Sequence, residues 1–316
     1  MNKSAATLAI DLGGTRIKAG VVVEHTVVCQ RIVPTEDERG FDRVLHNIMT
    51  VSEDLMRERA VGGVGLSLPA IVDVDKGMVV DVRKNLEGLI GFPLADTMSH
   101  RFGLPVVLEN DARLYGLGEL VAGAAQGIGN MVCLTFGTGV GCCVAINGHI
   151  LRGRHGTGGI LGGHMTIETY GPPCTCGNIG CFEALCRAAS LVNETRERLT
   201  AYPGHVLQGI DKLTPEAIIA AADAGDTLAQ DALAAYVRHI AAGVVSYIHV
   251  YDPDIVVLGG GVMNAAKHLL PPVQEFVRAH AWTIPSQRVP VRAAVLGDQA
   301  ALVGAAALAC GEGQFY

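Results

Sequence analysis

Apolar positions change their period several times along the chain, and each change marks an element. Val44, Ile48, Val51 and Leu55 recur at spacings of four, three and four, which predicts an amphipathic helix over 42–59. Leu8-Ala-Ile-Asp11 leads through Leu-Gly-Gly-Thr15 into the apolar run Ile17 to Val23: strand, glycine turn, strand. Val64-Gly-Leu-Ser-Leu68 and Val106-Val-Leu108 are short apolar runs that predict buried strands. The second ends in Glu109-Asn-Asp111, and a helical pattern starts at Ala112. Met131 to Ile146 repeats the plan of strand, glycine turn, strand. Thr214-Pro-Glu216 places a cap before a proline and predicts a helix start. Gly225-Asp226 ends that helix, and a longer one runs to about Val250. After a turn at Asp252-Pro-Asp254, the strand Ile255 to Leu258 feeds Gly259-Gly-Gly261, and Asp298 to Ala309 forms a helix of small residues.

Composition narrows the class. A length of 316 residues makes roughly two domains the expectation at about 150 each. Hydrophobic residues reach 49% and charged ones only 17%, so the chain can bury a large core and is not a disordered spacer. Lys plus Arg is 24 against 31 Asp plus Glu, a net charge of −7, without basic clusters. That balance argues against nucleic acid and anionic membranes as partners. No signal peptide is visible before Ile10. The stretch from Leu120 to Leu151 carries no charge, but its glycines, Gln126, Asn130 and Asn147 interrupt any spanning helix. The nine cysteines are odd in number and unevenly spread, which argues against a disulfide framework. A soluble cytoplasmic protein is the expectation.

Two features carry chemistry. Ile10 to Thr15 and Leu134 to Gly139 share one plan, an apolar strand, a polar residue at its end and a Gly/Thr turn, about one domain apart. Two such hairpins can each present backbone N–H groups to one polyphosphate, because unpaired amides carry partial positive charge; as ordinary turns they would bind nothing. Neither is a dinucleotide fingerprint, since strand rather than helix follows each turn, and no G-x-x-x-x-G-K-[ST] occurs. Cys174, Cys176 and Cys181 fall within eight residues broken by Gly177 and Gly180, with His164 ten residues upstream. Three thiolates and an imidazole would make a closed tetrahedral zinc site of structural type; the alternative is a cluster of free or oxidised thiols, which cytoplasmic cysteines have little reason to form. Cys29, Cys133, Cys142, Cys143, Cys186 and Cys310 read as small buried hydrophobes.

Asp11-Leu-Gly-Gly-Thr15, Phe136-Gly-Thr-Gly139 and Leu258-Gly-Gly-Gly261 resemble the phosphate and adenosine motifs of the sugar kinase/Hsp70/actin superfamily. Cys174-Thr-Cys-Gly-Asn-Ile-Gly-Cys181-Phe-Glu183 matches the C-x-C-G-x-x-G-C-x-E of the ROK family (repressors, open reading frames, kinases) within it. The resemblance spans about Leu8 to Ala309. It implies two α/β domains of the actin-like (ribonuclease H-like) type around a cleft, a smaller one over 1–117 closed by the C-terminal helix 298–316 and a larger one over 118–297. It implies an ATP-dependent hexose kinase acting on a C6 hydroxyl, and a homodimer. Some members are repressors with an N-terminal helix-turn-helix; ten residues before Asp11 are too few for one.

By position alone, Asp111 reads first as a helix cap, since Asn and Asp are favoured there. The resemblance of Glu109-Asn-Asp-Ala112 to the family's E-N-D-A makes Asp111 the base for the sugar hydroxyl instead, ionised at an ordinary carboxylate pKa of about 3.9. Asp11 would hold Mg²⁺ through water. Gly13, Gly14, Thr15, Lys18, Gly137, Thr138 and Gly139 would meet the phosphates, and Gly259, Gly260 and Gly261 the adenosine. Asn85, Asn110, His164 and Glu183 would serve the sugar side, with His164 also a zinc ligand. His25, His100 and His155 match no role.

Two departures fall on the sugar half. Where the family reads G-x-x-G-E-x-G-H, this chain reads Gly156-Thr-Gly-Gly159-Ile160-Leu-Gly-Gly163-His164, with an apolar residue at the acidic position and one extra glycine. Leu68-Pro-Ala70 stands where Pro-Gly is usual. An isoleucine accepts no hydrogen bond, so glucose is not the expected best substrate; N-acetylmannosamine or another N-acetylhexosamine is the alternative. The competing class is a non-catalytic sugar-sensing protein on the same fold.

Overall fold

The computed structural model describes residues 6–82, 86–284 and 288–316. It divides into two compact units: residues 1–131, 143–160 and 295–316 form the first, and 132–142 with 161–294 the second.

The first unit is built on a five-stranded sheet in the order Thr26–Pro34, Arg16–Val23, Thr7–Leu12, Val64–Leu68, Val106–Asn110. The last three strands run parallel, with Asp11 opposite Ser67 and Ser67 opposite Glu109. Strand alternation sorts the side chains by size. Leu8, Ile10 and Leu12 share one core with Val44, Ile48, Val51 and Leu55 of the helix Phe41–Glu58. On the alternate positions Ala9 pairs with Gly65, and a Cβ at Gly65 would strike the carbonyl of Ala305. That small-residue face receives the helix Ala300–Ala309, which also packs on the helix Asp111–Ala122. The second seam is as close: a Cβ at Gly304 would land on the Leu114 carbonyl, and one at Gly118 on that of Ala300. A sheet with helices on both faces reads as near-continuous apolar strands, and Leu8, Ala9 and Ile10 are all buried. A hairpin, Ala70–Asp73 with Met78–Val82, follows the fourth strand.

The second unit holds the strands Val291–Ala293, Ile255–Gly259 and Met131–Phe136 and the start of Val140–Ile146, in that order. Its helices are Phe182–Cys186, Ala188–Leu199, Pro215–Asp223, Thr227–Tyr251 and Ala266–His280. The Oγ of Thr214 caps Pro215–Asp223 as its sequence requires. Thr227–Tyr251 is long and apolar enough to cross a membrane by length and composition alone. Its apolar residues are spent within the unit: Tyr236, Ile240, Val244, Tyr247 and Ile248 are buried. The uncharged stretch 120–151 resolves into a helix end and strands.

Candidate active site and metal centre

In the first unit the carboxyl ends of three parallel strands bring the acidic residues together, as open α/β sheets do with their ligand sites. Asp11 accepts a hydrogen bond from Ser67 Oγ at 2.7 Å. Burial pushes its carboxyl above the ordinary range, against the pull of Ser67 and Lys18. Lys18 Nζ lies 3.3 Å from Asp298. Between Asp11 and Lys18 the turn is closed by Gly13 N–H donating to Arg16 O (3.0 Å) and by Thr35 Oγ1 donating to Gly13 O (2.7 Å). Gly14 and Thr15 are exposed at its tip.

The helix cap at Asp111–Ala122 is Asn110, not Asp111. Asn110 Oδ1 accepts from the N–H groups of Ala112 (3.0 Å) and Arg113 (3.3 Å), while Nδ2 donates to Ala70 O and to Asp111 Oδ1. Capping is thus done one residue earlier, and Asp111 sits in the first turn with Oδ1 accepting from Ala112 N–H at 2.8 Å. The expectation of an ordinary carboxylate at Asp111 is overturned: burial, then the charge of Asp11, raise its pKa to about 7. Asn85 lies outside the described residues.

A buried network beside this turn engages Glu109, the one polar residue of the Glu109-Asn-Asp-Ala112 motif to which the sequence reading assigns neither a role nor a partner. Glu109, fully buried, pairs with Arg113 Nη1 (3.0 Å) and Arg152 Nη2 (2.6 Å). Arg113, a charged residue among the buried Ala112, Leu114, Leu117 and Leu120 of its helix, is the sequence signal that could have found it.

In the second unit, Gly137 N–H donates to Gly139 O (2.9 Å) and Gly137 O accepts from Ala188 N–H (2.8 Å), with Thr138 exposed at the tip. Glu183 is buried against this turn, its Oε2 accepting from Val140 N–H at 3.0 Å. Gly259 ends its strand buried, and Gly261 opens a 3₁₀ turn.

The four expected metal donors converge. His164, Cys174, Cys176 and Cys181 place their ligand atoms within 4.8 Å of one another. Cys174 Sγ is 3.6 Å from His164 Nδ1, and Cys176 Sγ is 3.7 Å from Cys181 Sγ. A tetrahedron with spokes of about 2.3 Å has edges of roughly 3.8 Å, so the donor set fits zinc. The extra glycine before His164 has a packing cause within this unit. A Cβ at Gly163 would strike Val140 O, and one at Gly162 the hydroxyl of Tyr247. Ile160, at the start of the 3₁₀ turn Ile160–His164, is 9% exposed.

Comparison with known proteins bears on the whole length. The chain is 32% identical to the glucokinase of Thermotoga maritima over 306 residues, 95% of this chain and 96% of that one. It is 31% identical to the N-acetylmannosamine kinase of Salmonella typhi over 312 residues, 97% and 99% of the two chains. A ROK family glucokinase from Streptomyces griseus, solved in complex with glucose and AMPPNP, superposes with a TM-score of 0.83 at 32% identity, covering 97% of this chain and 99% of that one. The shared architecture is the actin-like α/β fold of sugar kinases. The profile of the ROK family matches residues 7–312, a span that contains both glycine hairpins, the acidic pair and the cysteine loop; the chain belongs to the ROK family.

Proposed function

We propose that this ATP-dependent sugar kinase transfers the γ-phosphoryl group to the C6 hydroxyl of a hexose, with Mg²⁺ at the phosphates and a zinc ion fixing the loop 164–181. The observation that carries the reading is the pair of interacting carboxylates at the carboxyl ends of the two strands that flank Val64–Leu68, Asp11 and Asp111. Asp111 is the general base. With a pKa of about 7 it is near the working pH, where an acceptor is best matched to its task. Its Oδ1 is held by Ala112 N–H and Asn110 Nδ2, so Oδ2 takes the proton. The hydroxyl oxygen bonds to phosphorus, the bond to the bridging oxygen breaks, ADP leaves, and the proton passes to Asp111.

Asp11 would hold Mg²⁺ through water, and the ion supplies charge neutralisation at the β- and γ-phosphates. Gly13, Gly14, Thr15, Lys18, Gly137, Thr138 and Gly139 are the phosphate contacts of this reading, and Gly259, Gly260 and Gly261 the adenosine contacts. His164, Cys174, Cys176 and Cys181 would close the zinc shell with four protein ligands, so the ion would be structural and would activate no water. The sugar contacts are Asn110, Asn85, His164 and Glu183. Asn110 acts chiefly by holding Asp111, since its amide is already engaged. The setting is the cytoplasm and the assembly a homodimer, which sedimentation near twice 33.0 kDa would support.

Ile160 separates the candidate sugars. A hydroxyl buried against it loses water without a replacement, at about 1–3 kcal/mol, or roughly 5- to 150-fold in affinity. An acetamido methyl suits it better. ADP release measured over hexoses and N-acetylhexosamines tests both levels. An N-acetylhexosamine with a higher kcat/KM than glucose is expected. Glucose as the best substrate, at a millimolar or lower KM, overturns the part resting on Ile160. No sugar-dependent ADP release overturns the kinase mechanism and favours a sugar sensor.

A further inference from the structure

The loop from Leu151 to Gly159 leads into Ile160, and besides the Arg152–Glu109 pair it is gripped twice. One grip comes from the helix that opens with Asp111. Arg113 is 1% exposed and uses its whole guanidinium. Nη1 donates to Glu109 (3.0 Å) and Nε to Leu151 O (3.2 Å). Nη2 donates to the carbonyls of Arg152 (3.3 Å), Gly156 (2.7 Å) and Gly158 (2.7 Å). The other grip comes from the last residues of the chain. Gln314–Phe315 pairs in parallel with His149–Ile150. Tyr316 O accepts from the N–H groups of Arg152 and Gly153, both at 2.9 Å. The Phe315 ring centroid lies 3.8 Å from the guanidinium carbon of Arg152.

Stability alone is a poor reason for this arrangement, because a buried ion pair is often matched or bettered by apolar residues of similar volume. What an apolar side chain could not do is aim a planar fork of donors at four loop carbonyls at once. Arg113 is also tied to the catalytic turn through its backbone, whose N–H donates to the cap Asn110. One residue therefore fixes the loop with its side chain and the base-bearing turn with its main chain. Holding a binding loop in its bound shape removes the ordering cost from the binding step.

We propose that Arg113, from the helix, and Phe315 with Tyr316, from the C-terminal strand, are positioning residues for the acceptor sugar: they hold the loop 151–159, and with it Ile160, in place beside Asp111. This rests on the reading of the chain as a sugar kinase. Two variants test it, Arg113→Lys, which keeps the charge and loses the fork, and a chain ending at Gly313, which removes the second grip and leaves no buried charge unpaired. In both, the KM for the best sugar should rise about tenfold, while the KM for ATP and kcat at saturating sugar stay within about twofold. Hydrogen exchange without substrates should speed up at Arg152 and Gly153 in the shortened chain, and at the 151–159 loop in Arg113→Lys, with the Thr7–Leu12 strand unchanged. An unchanged sugar KM in both variants, or a parallel rise in the ATP KM, overturns the positioning role. Unchanged exchange in the loop overturns the grip itself. A wild-type chain that turns over no sugar refutes the kinase mechanism and the positioning role with it, while exchange still decides whether the grip exists.

Discussion

Asp111 bears two opposing demands. Its carboxyl is raised from the usual 3.8 to about 7, so the folded protein holds that proton more tightly than the unfolded chain does. The stability contributed by this proton is therefore fully present below about pH 4 and is lost as pH rises from there through about 7. Asp111→Asn removes the base and should lower kcat at least about 10²-fold. The same variant should melt higher than wild type at pH 8, by a margin that shrinks toward pH 5. A variant with near-native turnover, or a margin independent of pH, contradicts the assignment. The other residue-scale expectation concerns turnover itself. Protonated Asp111 accepts no proton, so kcat/KM for the sugar should fall below about pH 7, approaching tenfold for each step of one in pH. The identity of the cap shows what sequence can and cannot carry at this scale. Asn and Asp are both good caps, and adjacent in the chain they cannot be told apart by propensity; only the direction of Asn110 Oδ1 toward Ala112 and Arg113 decides.

Elements with a strong period or a hard stop were legible. The helix at Phe41–Glu58, the two glycine hairpins and the start at Thr214-Pro215 all fall where pattern and capping chemistry place them. Ala266–His280 was not legible, because Pro271 and Pro272 lie inside it and proline ordinarily ends a helix. The strand Thr26–Pro34 also escaped, since it is largely exposed and its apolar residues do not alternate: Val28 and Ile32 face solvent while their neighbours Val27, Cys29 and Val33 are half-buried. The cysteine loop was legible because ligand spacing is a covalent property of the chain, and its four donors converge as required. In Cys176→Ser one zinc per chain should vanish, and melting should fall by several degrees or give way to aggregation, since a structural metal contributes folding free energy. Purified wild type without zinc, even after zinc-supplemented growth, would defeat that expectation. The seam between Asp111–Ala122 and Ala300–Ala309 gives a second test at this scale. Gly304→Ala puts a methyl onto the Leu114 carbonyl and should cost about 1–3 kcal/mol, read as a lower urea midpoint at unchanged slope.

Across the whole molecule, the order of residues in the chain and the order of packing in space disagree. The first unit is assembled from 1–131, 143–160 and 295–316, with the second unit's residues threaded between these stretches. Composition could suggest two domains, but it could not reveal that interleaving, because contacts between distant stretches leave no local period. The helix Ala300–Ala309, which covers Ala9 and Gly65, thus has a consequence in time. During synthesis at about 5–20 residues per second, the sheet of the first unit leaves the ribosome long before the helix that covers it. For many seconds its small-residue face stands open to water while the second unit is still being made. Stalled nascent chains that reach Ala294 should therefore be cut readily by protease within 1–131 and recruit holding chaperones, and both signals should disappear once Ala309 has cleared the exit tunnel.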